Sequence, residues 1–286
     1  MTATSPKSPA TEPLDRSTAK AAKAAGLWPD IDRSGLLHFF EYQIYRFRKG
    51  WRGLVVTGIL SPVLFLLVMG IGLGDMVDRN SNDLGGVAYL SYIGPGLLAT
   101  SAMQWGTAQG LWPTVAELKW EGGYRAALVT PLSIDELVVG HIGWIALRFF
   151  AAAVMFTAVL TAFGVPDSWW FVLAPFAATL TCTAFAAPTI AFSSTRSDDH
   201  LFPLVQRFVV IPLMLFSGSF FPVSNLPTTL AWIARFTPSW HGVELCRDLA
   251  QGSLSYADLG HVGYCLAFVV VGWQLSRTGI SKALAS

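Results

Sequence analysis

Residues 139–163 read V-G-H-I-G-W-I-A-L-R-F-F-A-A-A-V-M-F-T-A-V-L-T-A-F, and Arg148 is their one permanent charge. At 1.5 Å per helical residue the run reaches about 37 Å, more than the roughly 30 Å hydrocarbon core of a bilayer. Five more apolar stretches lie at 54–74, 88–113, 170–192, 203–221 and 258–276, which predicts six transmembrane helices. Composition agrees, because 53% of the 286 residues are hydrophobic and 13% are charged. Soluble domains carry about 25% charged residues. A β-barrel would show short alternating segments, and these are absent. The expected class is therefore all-α, a polytopic membrane protein with a six-span transmembrane domain over 54–276.

Working outward, residues 1–30 are rich in Ala, Ser, Thr, Pro and Lys and have no apolar core, so a disordered tail without a signal sequence is expected. Residues 34–52 read as an amphipathic helix. Leu36, Phe40, Ile44, Phe47 and Trp51 fall at helical spacing, with Glu41, Arg46, Arg48, Lys49 and Arg52 elsewhere around it. A basic amphipathic helix ahead of a span suits the headgroup region. With the N-terminus cytoplasmic, fifteen of the nineteen Lys and Arg fall on the cytoplasmic side and three outside. That asymmetry predicts a multi-pass protein of the cell membrane with both termini cytoplasmic, the C-terminal tail being 277–286.

Catalytic signatures are missing. No G-x-x-x-x-G-K-[ST] loop, G-x-S-x-G elbow, H-E-x-x-H pair or strand-borne G-x-G-x-x-G appears. Cys182, Cys246 and Cys265 are odd in number and scattered, which argues against both disulfides and zinc. Asp198-Asp199-His200 reads as a solvated connector between spans four and five rather than a metal site. Neither a catalytic site nor a bound cofactor or metal is expected on this chain, and nothing suggests nucleic-acid binding.

The segment 114–140 is longer than a connector needs, and charges alternate in it with Trp120, Tyr124 and Leu128. Ser133 precedes Glu136 at capping-box spacing. Such a surface suits docking to a soluble partner. Three stretches carry a resemblance: Y-L-S-Y-I-G-P-G-L-L-A-T-S-A-M-Q at 89–104, Y-R-A-A-L-V-T-P-L at 124–132 and F-S-G-S-F-F-P-V-S-N-L-P at 216–227. In this order on six spans they resemble type-2 ABC exporter permeases. The nearest subgroup is the nodulation-protein-J-like lipooligosaccharide exporter permeases, with daunorubicin-type drug-efflux permeases as relatives. The resemblance runs from about residue 36 onward.

It implies a separate ATP-binding-cassette ATPase subunit, which holds the ATP and Mg and docks on Glu117, Lys119, Trp120, Glu121, Tyr124 and Arg125. It also implies a second permease chain, identical or not. Short re-entrant helices should follow Pro222 on the outer side. The residues themselves give two short pieces there, Leu226 to Phe236 and Trp240 to Leu249, bounded by Pro222, Pro227 and Pro238. A plain surface loop is the alternative.

Arg148 admits two readings: a cation lining the route of an anionic head group, or a side chain that snorkels or pairs with a neighbouring helix. Trp169 and Trp170 suit the interface belt, whereas Trp105, flanked by Gln104 and Gln109, suits a groove. The implied function is export of an amphipathic substrate from the cytoplasmic leaflet. A glycolipid or lipid-linked saccharide comes first and a drug-like molecule second. A membrane-bound lipid-modifying enzyme would need paired acids or His at a membrane face. An ion-coupled secondary transporter would need ionisable groups at mid-span. The carboxylates cluster in the 114–140 loop instead, and apart from Arg148 no ionisable residue lies at the centre of a span.

Overall fold

Helix α2, Tyr89–Val115, runs for 27 residues without a charged side chain and passes through Pro95 unbroken. The computed structural model describes residues 35–48, 52–53, 60, 63–64, 67–68, 89–129, 132–196 and 200–285. Expectations for the 1–30 tail, for most of the 54–74 span, and for Thr130, Pro131, Asp198 and Asp199 lie outside the described residues. Before α2 stands α1, Gly35–Phe47. After it come α3, Gly123–Val129, and α4, Ile134–Ala162. A 3₁₀ turn, Trp169–Leu173, leads into α5, Ala174–Thr195. Then follow α6, Leu201–Phe216, α7, Thr228–Arg235, α8, Pro238–Gln251, and α9, Tyr256–Ala285. Every regular element among the described residues is helical, so the chain is an all-α polytopic membrane protein.

Among the described residues, three runs combine the length and apolarity of a span: α4, Trp169–Thr195 and α9. With α2 before them and the shorter α6 counted between the last two, successive long helices alternate in direction. One end of the bundle collects the exit of α2, the entry of α4 and the exits of α5 and α9, and is called here the loop end. The other, the hairpin end, collects the start of α2, the end of α4, the α7–α8 pair and the start of α9.

Helix α5 is central and packs on α2, α4, α8 and α9. It comes close because the facing positions are small. A Cβ on Gly106 would run into the Cys182 carbonyl oxygen, and one on Gly272 would meet Pro188. Hydroxyls fasten the seams: Ser193 Oγ donates to Gly110 O at 2.8 Å, and Ser276 Oγ to Ala187 O at 2.7 Å. Small residues and interhelical hydroxyl bonds are how spans associate where lipid removes the hydrophobic drive.

Three expectations need correction, whereas Gly94-Pro95-Gly96 leaves α2 unbroken. The Gly96 carbonyl accepts from Thr100 Oγ1 at 3.0 Å and from Ser219 Oγ at 3.2 Å, which ties α2 to the turn after α6 there. The fifth stretch ends its helix at Phe216, five residues short of 221, because Gly218 takes φ 89° and turns the chain. The presumed tail from 277 is helical, since α9 continues to Ala285. Finally, Ile44 is 49% exposed; the packed face of α1 is Phe39, Phe40, Gln43 and Phe47. Gly140 and Gly143 on α4 leave a notch that takes the rings of Phe39 and Phe40.

The two short pieces after Pro222 are helices, with Pro227 as the N-cap of α7 and Pro238 as the first residue of α8. Cys265 Sγ lies 3.9 Å from Pro238 O, nine residues into α9 and so about 13 Å from its start. From there α8 returns to the hairpin end, where Ala250 O accepts from Asp167 N at 2.9 Å and Ser168 N at 3.1 Å. The pair enters the bundle and leaves by the same end.

Candidate substrate cavity and docking loop

Spacing along two helices builds a cavity. Gln109, Pro113 and Glu117 follow at steps of four from α2 into the turn after it; His141, Trp144 and Arg148 follow at steps of three and four on α4. Both rows face one space of about 230 Å³, which Gln43 and Phe47 of α1 complete. The ring contacts of Trp144 with Phe40 and Phe47, at 6.4 and 5.8 Å between centroids, hold α1 against α4.

Arg148 is the cation of this cavity, and Glu117 its carboxylate. Arg148 Nη1 donates to Gln109 Oε1 at 3.3 Å, and its guanidinium stands 5.1 Å from the Phe47 ring and 5.6 Å from the Trp105 ring. No carboxylate pairs with it among the described residues, and its Nε is buried without an acceptor. Aromatic faces and one amide stabilise the cation weakly compared with a carboxylate, so an anion entering here meets a guanidinium with free donors. Of the four residues expected on a substrate path, Gln109 and Arg148 line the cavity. Trp105 flanks Arg148 and packs on Phe149 at 6.0 Å. Gln104 turns away and donates to Met214 Sδ at 2.8 Å. Sequence reasoning missed His141, Trp144 and Gln43, although a face-by-face reading from Arg148 would have found the first two.

Below the cavity the chain makes a π turn, Ala116–Trp120, closed by Glu121 N donating to Ala116 O at 2.8 Å. This turn divides the six residues expected to dock a partner. Glu117 is 7% exposed and its carboxylate abuts Gly123, while Tyr124 is 1% exposed and lies edge-on to His141 at 5.7 Å. Burial, with the Glu117 carboxylate nearby, holds the Tyr124 phenol well above the usual tyrosine range. Lys119, Trp120, Glu121 and Arg125 are exposed, Trp120 by 60%. Lys119 Nζ donates to Arg196 O, which ties the turn to the end of α5. The capping box is formed, with Ser133 N donating to Glu136 Oε2 at 2.8 Å and Glu136 N to Ser133 Oγ at 3.2 Å. Asp135 pairs with Arg277 at 2.7 Å across the entry of α4 and the exit of α9. Among the described residues no cluster of three or more metal-ligating side chains occurs.

A bundle of apolar helices with a cavity holding Arg148 and Glu117, and a short helix pair at the opposite end, fits the membrane-spanning part of a transporter. Residues 36–250 match the model of the ABC-2 type transporter family, and the chain belongs to that family. It is 28% identical over 238 residues to Nodulation protein J of Rhizobium leguminosarum bv. trifolii, covering 82% of this chain and 89% of the relative. Nodulation protein J of Rhizobium meliloti (strain 1021) is likewise 28% identical over 239 residues, with the same two shares of 82% and 89%. The Inner membrane transport permease YadH of Escherichia coli (strain K12) is 24% identical over 251 residues, 83% of this chain and 92% of the relative.

Proposed function

We propose that this permease subunit exports an amphipathic substrate with an acidic or hydroxyl-rich head group, a glycolipid or lipid-linked saccharide, from the cytoplasmic leaflet. A separate ATPase would power it from the loop end, and a second permease chain would complete the path. The observation that carries the reading is the Arg148 cavity, set beside an amphipathic helix and just above the exposed loop residues. A cation with no carboxylate paired to it among the described residues is costly to keep at membrane depth and suits a ligand that neutralises it. The likeness to the Nodulation protein J relatives supports a saccharide-bearing amphiphile, and the crowding of Lys and Arg at the loop end supports a cytoplasmic position for that end. Docking would fall to Lys119, Trp120, Glu121 and Arg125, with Glu117 and Tyr124 holding the turn from inside. The aromatic wall of Phe47, Trp105 and Trp144 favours a second substrate class, a planar hydrophobic drug.

Reconstitution with the cognate ATPase in proteoliposomes tests this. Arg148→Gln should lower ATP-driven translocation of an acidic fluorescent glycolipid at least tenfold while the ATPase stays bound. Equal translocation by both chains would remove Arg148 from the path. Loss of dye efflux alone, with glycolipid movement unchanged, would select the drug reading.

A further inference from the structure

A second cavity, of about 320 Å³, lies at the hairpin end, and the transport reading above makes no use of it. Tyr92 of α2, Ser224, Arg235 at the end of α7, and Trp240, Glu244 and Arg247 of α8 line it. Arg247 is the fixed element. Its side chain is 9% exposed, Nη1 donates to Glu244 Oε1 at 3.0 Å, Nη2 donates to Gly218 O at 2.8 Å, and the guanidinium stacks 4.1 Å above the Tyr92 ring. A guanidinium has five N–H donors; two have protein acceptors here, and Nε is buried with none. Tyr92 Oη also donates to Gly218 O, at 3.0 Å, so one turn fixes both walls.

Charge decides what such a cavity takes. Glu244 offsets Arg247. Arg235 arrives from the other helix of the pair, is exposed, and has no carboxylate partner among the described residues. The lining is therefore one positive charge in excess. Small-molecule sites occupy about 300–1,000 Å³, so this volume admits a head group and no saccharide chain or acyl tail.

We infer that this cavity binds one acidic group, a phosphate or carboxylate of an amphiphile's head, with Arg235 as the capturing cation beside the anchored Arg247. Tyr92 and Gln109 stand seventeen residues apart on α2, about 26 Å, close to the thickness of the hydrocarbon core. The two arginine cavities thus lie toward opposite ends of one membrane crossing. On the export reading, from which only this assignment to leaflets derives, the second cavity meets the head group after it has crossed.

The test uses the purified chain in neutral detergent without ATPase, so its failure leaves export untouched and a failure of export leaves it readable. Native mass spectrometry follows titration with dioctanoyl phosphatidylglycerol, in a chain carrying Arg148→Gln to silence the other cavity. One saturable adduct is expected. Adding Arg235→Gln should weaken it at least tenfold at an unchanged unfolding midpoint, and Arg235→Lys should retain it. Inorganic phosphate as competitor separates the sources: displacement assigns the site to the free anion as well, and no displacement assigns it to lipid-borne head groups. Equal adducts with dioctanoyl phosphatidylcholine, or unchanged affinity after Arg235→Gln, would overturn the inference.

Discussion

Glu117 and Glu121 stand four residues apart in one charged loop, yet they have opposite fates. Glu117 is buried against Gly123 beneath the Tyr124 ring, and Glu121 ends the π turn in solvent. Charge reversal should separate them. Glu117→Lys introduces an uncompensated cation into a buried carboxylate site and should cost roughly 3 kcal/mol or more. Glu121→Lys should stay within about 0.5 kcal/mol of the parent and instead weaken retention of the ATPase, because opposed charges at an interface set register and encounter. Unfolding midpoints in detergent and co-purification measure the two effects. Equal midpoints for both variants would contradict the burial, and full ATPase retention by Glu121→Lys would move docking elsewhere. Sequence made these two carboxylates look alike, since both alternate with aromatics. Only the extra residue of the π turn decides which one faces in, and no pattern of residue types announces it.

At the scale of elements, the long apolar runs were legible because twenty uncharged residues have few structures other than a span. Their internal breaks were not. Gly94-Pro95-Gly96 reads as punctuation, but α2 continues through it, with the Thr100 and Ser219 hydroxyls donating to Gly96 O. The α1 stripe was legible in period but not in phase, because Gly140 and Gly143 on a distant helix select Phe39 over Ile44. Glycine matters again where α2 meets α5. Gly106→Ala would press a methyl group onto the Cys182 carbonyl, and overpacking of this kind costs about 1–3 kcal/mol. Gly260→Ala on α9 meets nothing within 4 Å and should leave the unfolding midpoint unchanged or slightly raised. A neutral Gly106→Ala would show that α2 and α5 are not in contact at this seam.

For the whole molecule, the alternation of helix directions puts α1, the exposed loop and the end of α9 at one end, and the α7–α8 pair at the other. Reporter fusions after Arg196 and Arg277 should therefore report the same compartment, and a fusion after Leu226 the opposite one. With the basic residues concentrated at the loop end, that compartment should be the cytoplasm. A Leu226 fusion on the same side as Arg277 would dismantle the topology. Charge alone predicts a direction for the spans, which the fusions would test. The internal cavity was not legible in the sequence, because its walls come from three helices and Gln43 and Arg148 stand 105 residues apart.

The wide turn at Ala116–Trp120 gives the loop end a mechanical character. Its i to i+5 bond, Glu121 N to Ala116 O, accommodates one residue more than regular winding allows. Rewinding those five residues to ordinary pitch would rotate whatever follows by about 100°, one residue's share of a 3.6-residue circuit. Glu117 floors the cavity from within this turn, and Trp120 projects from its outer side. If the ATPase seats on the indole as proposed, its pull and the shape of the chamber above would be geared to the same surplus residue, a clutch between motor and membrane.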